Sequence, residues 1–416
     1  MMNKLLPVLI LSQLVIGQEI LQHFDLDKRN HYIGTTTYEF EVDDSHTDSW
    51  TLNIEAIKGD ISFSGEPGNI IQITEEVSIW ASSGMKAKSI FDDYHAKVIQ
   101  LKDVRIVKIT GVGEWPERSA FDYSIIVPIS TNISVKTAGG DIYANRITGE
   151  ISMTTMGGDI EGMHLIGKTY ARTSGGDIEI DHSEGILALK TSGGDIIVQQ
   201  IAGEVGANTS GGDIEVESVQ GNVFVQTSGG DLSFEDIVGS KLVGSTSGGS
   251  IDARRIQADM DIQTSGGDID IQDLAGSIKA ETSGGDIEVD EILGNANLIT
   301  NGGDVDVDQL HGSIRAKTSA GNVEIIKIWN KKIDNHDIHV INEYGSISIS
   351  LPADFPSQID AVVENEISSN VIDSDFPIKI EKRFDEVKGE TVIGEGTYKV
   401  KLRTSHGTIT IEKGTE

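Results

Sequence analysis

The string Thr-Ser-Gly-Gly-Asp-Ile, or a close variant, begins at Thr137 and recurs at Thr155, Thr173, Thr191, Thr209, Thr227, Thr246, Thr264, Thr282, Thr300 and Thr318. Every interval is 18 residues except one of 19, where a residue is added between Gly239 and Thr246. A second glycine stands six residues before most of these threonines, as at Gly149, Gly167, Gly185, Gly276 and Gly294. A fixed period of this length marks an array whose units cannot close a core alone and must stack to bury a face.

Within a unit the apolar residues alternate, as in Ile178-Glu179-Ile180-Asp181 after one corner and Ile314-Arg315-Ala316-Lys317-Thr318 after the other. A period of two means half-buried strands, and no helical period appears in the repeat. Stacked in register, the strands pair in parallel about 4.8 Å apart, and inward columns such as Ile178, Ile196, Ile214 and Leu232 merge into one core. A further apolar column (Ile147, Leu165, Ile201, Val219) precedes the second corner, and parity turns the threonines inward. The fold class expected is all-β: a parallel β-solenoid of 18-residue, two-strand coils, right-handed by the usual crossover rule. Eleven coils would extend on the order of 50 Å. The triangular hexapeptide helix is a poorer match, because its hexad would bring Asp268, Asp286, Asp304 and Asn322 inward.

The flanks are less regular. Residues 1–17 read as a signal peptide: Met1-Met2-Asn3-Lys4 is a short positive start, and Leu5 to Gly17 is an apolar run too short to span a bilayer, with cleavage expected before Gln18. Residues 18–136 read as a β-rich cap with one short helix near 87–98, where Ala87, Ile90, Phe91, Tyr94 and Val98 recur at helical spacing. The regular coils occupy 137–326. Residues 327–416 read as irregular coils and a cap, since solenoids need atypical ends to protect their edge strands.

With 66 acidic and 33 basic residues the chain carries a net charge of −33, which argues against a nucleic-acid partner. The acids are patterned. Three outward columns on the first strand start from Asp177, Glu179 and Asp181 and their equivalents, and hold 22 acids against the single base Arg254. The second strand is closer to neutral, with Lys168, Arg172, Lys190 and Lys279 among its outward residues. Exposed carboxylates about 5 Å apart repel by only ~0.8 kcal/mol in water, so a solvated face with turn-forming aspartates is the first reading. Weak divalent cation binding, by calcium or magnesium, is the second. No resident cofactor is expected.

No residue stands out as catalytic. The absence of cysteine removes disulfides, thiolate metal sites and a cysteine nucleophile. No Walker loop, dinucleotide fingerprint, EF-hand or Gly-x-Ser-x-Gly is present. Neighbouring coils would bring carboxylates near the separation used by retaining glycosidases, but a row of near-identical aspartates lacks the divergent environments catalysis requires. Gly-Gly-Asp reads as a turn in which glycine supplies positive φ. His336 and His339, three apart, read as surface residues. Tyr170 and Phe224 are the main outward aromatics.

Lys58-Gly59-Asp60-Ile61-Ser62-Phe63, Tyr123-Ser124-Ile125-Ile126-Val127-Pro128, the Gly-Gly-Asp-Ile series and Tyr344-Gly345-Ser346-Ile347-Ser348-Ile349-Ser350-Leu351-Pro352 resemble the bacterial putative-adhesin family. That family is a domain of unknown function related to the GIN-type head domains. The resemblance runs over roughly residues 50–412 and implies a β-solenoid on an exported or envelope-associated protein, with adhesion as its role and no catalytic residues. The function expected is a non-enzymatic surface or envelope binding protein presenting an acidic solenoid face. Its partner would be a surface protein or a glycan. The alternatives are a structural or envelope-sensing rod and, further off, a carbohydrate-active β-helix enzyme. No membrane span is expected in the mature chain, which would be periplasmic, cell-surface or secreted.

Overall fold

The computed structural model describes residues 22–28, 30–43, 49–111, 119–365 and 369–414, so the expected signal peptide over 1–17 lies outside the described residues. The chain divides into two compact units, Met1–Gly194 and Asp195–Glu416. Each is built of parallel β-solenoid coils, and the one α-helix among the described residues belongs to the first.

In the first unit, Ile61–Glu66, Ile142–Asn145, Ile160–Met163 and the start of Ile178–Lys190 stack in parallel. A second stack runs through Trp50–Ile57, Thr131–Thr137, Thr148–Thr154, Ile166–Arg172 and the end of Ile178–Lys190. The register is the sequence repeat itself: Ile142 lies opposite Ile160, and Ile160 opposite Ile178. All three are buried, as are Ile147 and Leu165 of the further column. Where that column reaches Ser183, the hydroxyl is buried too. It accepts from the Leu165 N–H at 3.0 Å and donates to the Asp181 carbonyl at 2.9 Å. The threonines point inward as parity requires. Thr173 Oγ1 donates to the Gly158 carbonyl at 2.8 Å and accepts from the Gly176 N–H at 3.3 Å, so the buried hydroxyl fills both roles.

The glycines of Gly-Gly-Asp supply close approach rather than unusual dihedrals. A Cβ on Gly158 would lie 2.2 Å from the Gly140 carbonyl oxygen, whereas one on Gly157 would meet nothing within 4 Å. The second glycine of each pair is thus dictated by the coil stacked against it, and Ala320 can replace the first. This corrects the expectation that Gly-Gly-Asp supplies positive φ. The left-handed residues sit at the opposite corner, at Gly185 (+120°) and, unexpectedly, at Arg146 (59°), His164 (53°) and His182 (48°). In the second unit Gln200, Ser218, Asp236, Arg255 and Asp273 continue the same feature.

Both units terminate their stacks by the same device. In the first, the chain leaves Ile61–Glu66 and builds an outer coil from Ile106–Thr110 and Ser119–Pro128, then returns with Thr131–Thr137 and Ile142–Asn145 on the inner side. Antiparallel strands cover that outer coil: Lys97–Leu101 on one side, and Ile70–Trp80 followed by His31–Glu41 and Gln22–Lys28 on the other. The helix spans Gly84–Tyr94, with the Ser83 side chain accepting from the Lys86 N–H at 3.3 Å and with Ala87 and Phe91 buried. It ends earlier than the spacing implied, and Val98 belongs to Lys97–Leu101 instead.

The second unit has two such stacks of its own, which run through Val323–Lys327 and Ile314–Thr318. The added residue falls where expected, as a register shift between Val238 and Lys241. The following coil, Ile338–Tyr344 and Ile347–Pro352, starts 24 residues after its predecessor rather than 18. In the longer connection Lys327 occupies the register of the apolar Leu310 column, and its ammonium donates to the carbonyls of Leu310, His311 and Gly312 at 3.0, 2.6 and 2.7 Å. His336, expected at the surface, is fully buried and packs edge-on against Phe355 and Tyr398, because these extra residues fold over the coil. At the end, Tyr398–His406 and Ile409–Gly414 slot between the preceding coil and an outer one formed by Ser357–Glu364 and Ile372–Ser374. The antiparallel strands Glu386–Val392 and Lys379–Arg383 cover the outer edge. Such covering prevents a solenoid from pairing with further chains.

Candidate functional site

The acidic columns lie on the first strand of each coil and do different work. In the leading column each aspartate reaches to the next coil. The Asp159 N–H donates to Asp141 Oδ1 at 2.8 Å, and the Asp177 N–H to Asp159 Oδ1 at 2.8 Å. In the second unit the chain of bonds passes from Asp195 to Asp213, Asp231 and Ser250, resumes through Asp268, Asp286 and Asp304, and is handed to Asn322 and Ser346. These carboxylates are half committed to backbone capping, which is what an Asx side chain does at a turn.

The next column caps no backbone, and only Asp270 accepts a side-chain bond among those described, from the Gln272 amide at 3.5 Å. Glu161 and Glu179 stand in register on paired strands in the first unit, and Glu215, Asp252, Asp270, Glu288, Asp306 and Glu324 in the second. Among the described residues Glu179, Glu215 and Glu288 have neither a hydrogen bond nor an ion pair. Crowding is felt where these side chains are partly covered. Asp306 is pushed above the usual carboxylate range by burial first, then by Glu324, Asp308, Glu288 and Asp290. Asp252 rises by burial and the neighbouring Asp270. Among the described residues no three His, Asp or Glu side chains converge as a group able to hold a metal ion.

Two concavities accompany these columns, one in each unit. A groove of about 350 Å³ in the second unit has Val238, Leu274, Ala275 and Leu293 as its apolar floor, and Asp236, Arg255, Asp273 and Glu291 around it. Its one cation is already used: Arg255 is bound by Asp236 at 2.6 Å and by Glu235, and it holds the Asp236 carboxyl below the usual range. In the first unit Asp60, Glu76, Asp122 and Asp141 border a pocket of about 240 Å³ with Ser62, Thr74, Ser124 and Tyr143. Here too the carboxylates begin the capping ladder, since Asp122 accepts from the Asp60 N–H at 3.0 Å and Asp60 from the Asp141 N–H at 2.9 Å.

The histidines stay apart from the acidic columns or pair locally. His182 Nδ1 lies 2.7 Å from Asp181, and its ring stacks on His164. Tyr170 and Phe224 are exposed as expected, at 44% and 40%, but belong to different units. Sequence reasoning missed the row of left-handed corner residues, because Arg, His and Gln carry no signal for that conformation. It missed as well the carbonyl cage of Lys327, which required knowing that the coil there is six residues too long.

No curated protein matches the chain. Among solved structures it is similar to a putative cell adhesion protein from Clostridium sporogenes, at 8% identity over 91% of this chain and 100% of the other, with a TM-score of 0.17. A putative lipid binding protein from Parabacteroides distasonis is also similar, at 12% identity over 76% and 96%, with a TM-score of 0.22. The model of the Toastrack DUF4097 family matches residues 204–295 and again 292–412, about half of the chain. The tandem match falls on the Gly-Gly-Asp coils and on the Tyr344 to Pro352 segment that carried the resemblance in the sequence, and the chain belongs to the Toastrack DUF4097 family.

Proposed function

We propose that this chain is an exported, non-enzymatic binding protein of the cell surface or envelope, an adhesin that holds a surface protein or a glycan on its outer strand faces. The observation that carries the reading is the division of labour between adjacent acidic columns. The aspartates at Asp213 and Asp231 cap backbone, whereas Glu179 in the first unit and Glu215 and Glu288 in the second are exposed and without structural work. A repeated carboxylate on a rigid strand is a contact surface. Catalysis would call for two carboxylates in divergent environments. The apolar leader over 1–17 supports export, and the domain division at 136 and 326 separates presenting coils from caps. Oxygen-only side chains at this spacing favour cationic or neutral partners, or anionic polymers bridged by calcium or magnesium.

The test combines cell fractionation with protein and glycan arrays probed with and without calcium. Export and a ligand lost on joint replacement of Glu179→Gln, Glu215→Gln, Asp270→Asn and Glu288→Gln, with unchanged melting, support the reading. A cytoplasmic location, or binding indifferent to these substitutions, overturns it.

A further inference from the structure

The second-strand face of the Asp195–Glu416 unit carries a cluster of cations in a chain that is acidic overall. Across three paired strands, Arg315 lies opposite His339 and His339 opposite Lys401. Two residues along, Lys317 lies opposite Ile341 and Ile341 opposite Arg403. Arg315, Lys317, Lys401 and Arg403 are all exposed, and among the described residues none of them forms an ion pair. They stand at the corners of a rectangle of about 10 by 7 Å, given the spacing between strands and along them. His339 marks the middle of one long side and Ile341 the middle of the other. Arg315 approaches the His339 ring to 3.5 Å. In a chain with twice as many acids as bases, four unpaired cations held on one rigid patch are a charge arrangement that the fold itself does not need.

The carboxylates nearby are engaged elsewhere or stand at the border. Asp360, opposite Lys401, lies 3.6 Å from Lys388. Asp337 accepts from the Lys399 N–H at 2.8 Å, and Glu364 from the Ser405 hydroxyl at 3.2 Å. Glu343 follows Ile341 on the same outward parity. The cationic patch therefore has a small footprint with acidic margins.

We propose that Arg315, Lys317, Lys401 and Arg403 form a binding site for an acidic oligosaccharide, one that presents carboxylate or sulfate groups about 10 Å apart. The margins select for low charge density. A nucleic acid, with a phosphate at every residue, would run beyond the patch onto Glu343, Glu364 and the surrounding negative field. A disaccharide repeat places one or two anions within the rectangle and lays a sugar ring on Ile341. Arginine at two corners suits bidentate recognition of either anion. The site is distinct from the carboxylate columns, so its failure would leave the proposed function standing, and the loss of calcium-dependent binding would leave this site standing.

His339 reports occupancy. Burial first, and then Arg315, Lys401 and Arg403, hold its imidazole below the usual histidine range. An anion on the patch offsets those three charges and raises it, and by linkage binding tightens as the pH falls through that range; the acids bordering the patch are Glu343, Asp337 and Asp360.

The experiment is calorimetric titration of the full chain without divalent cations, using hyaluronan and keratan sulfate oligosaccharides, which carry one carboxylate or one sulfate per disaccharide, with neutral dextran of equal length as control. His339 ring resonances are followed in parallel by NMR. The expected result is binding of at least one acidic oligosaccharide and not of dextran, with a rise in the His339 midpoint. Arg315→Gln with Lys401→Gln should weaken affinity at least tenfold with melting unchanged, and Lys332→Gln, outside the patch, should leave affinity as it was. No binding at low salt, affinity unaffected by the double substitution, or tighter binding of single-stranded DNA or of anionic phospholipid vesicles would overturn the proposal.

Discussion

The N–H of Asp231 donates to the carboxylate of Asp213, one coil earlier, at 2.8 Å. This contact explains why the repeat spells Gly-Gly-Asp: the aspartate is the corner's adhesive to the next coil, and its acidity is incidental to that task.

Asparagine can accept the same bond. Asp213→Asn should therefore change stability by no more than about 0.5 kcal/mol, with relief of repulsion from its stacked neighbours offsetting a weaker acceptor. Asp213→Ala removes the acceptor and should cost about 1 kcal/mol. Ile214→Asp, one residue along and fully inward, should cost on the order of several kcal/mol by burying an unpaired charge. Chemical denaturation of the three variants checks the ranking, and equal losses for Asp213→Asn and Ile214→Asp would refute it.

The glycine pair gives a sharper contrast. Gly158→Ala forces a Cβ to 2.2 Å from the Gly140 oxygen, a backbone atom that cannot swing aside. The coils must part locally, at a cost of about 2–3 kcal/mol. Gly157→Ala has open space and an ordinary φ. It should be neutral or stabilise by about 0.5 kcal/mol through the unfolded chain. Thermal melting separates them, and similar midpoints would mean that the coils are not packed through this glycine.

Lys327 tests how a solenoid absorbs an irregular coil. Burial pushes its amine down to about 7, while three carbonyl acceptors within 3.0 Å favour the ammonium. All three hydrogens have acceptors, the geometry of a charged group. Lys327→Met keeps the apolar stem but takes a donor from three carbonyls, of which Leu310 retains the Ile328 N–H, and should cost about 2 kcal/mol or more. A variant more stable than the parent would show that the buried charge is a net burden instead. Urea denaturation at pH 7 distinguishes the outcomes.

The coils were legible in the sequence because one period governs spacing, alternation and corner chemistry at once. Ile142, Ile160 and Ile178 fall opposite one another as the 18-residue interval dictates. The ends were not legible in the same way. Ile61 pairs with Ile142 across 81 residues and Asp337 bonds Lys399 across 62, and no local pattern records which coil the chain will return to. Of the candidate surface, the acidic columns could be read by parity. Their unequal use could not, since hydrogen bonding distinguishes Asp213 from Glu215 and composition does not. The cationic rectangle escaped notice because Lys401 and Arg403 meet Arg315 and Lys317 only through that late return.

Asp306 has a folded-state pKa raised by burial and by Glu324, Asp308, Glu288 and Asp290. A carboxyl whose folded pKa exceeds its unfolded value, ordinarily about 3.9, costs stability when ionised. That cost is complete above the folded pKa. It fades as pH falls through the folded pKa towards the unfolded one, where both states are protonated. Asp306→Asn should accordingly raise the melting temperature at pH 7.5, and the advantage should shrink steadily towards pH 4. Salt should shrink it at pH 7.5 too, because the partly exposed neighbours are screened. Melting curves of parent and variant across that range, at low and high ionic strength, provide the check. A lower melting temperature for Asp306→Asn at pH 7.5 would mean that this carboxylate is held by a favourable partner rather than crowded by its own kind.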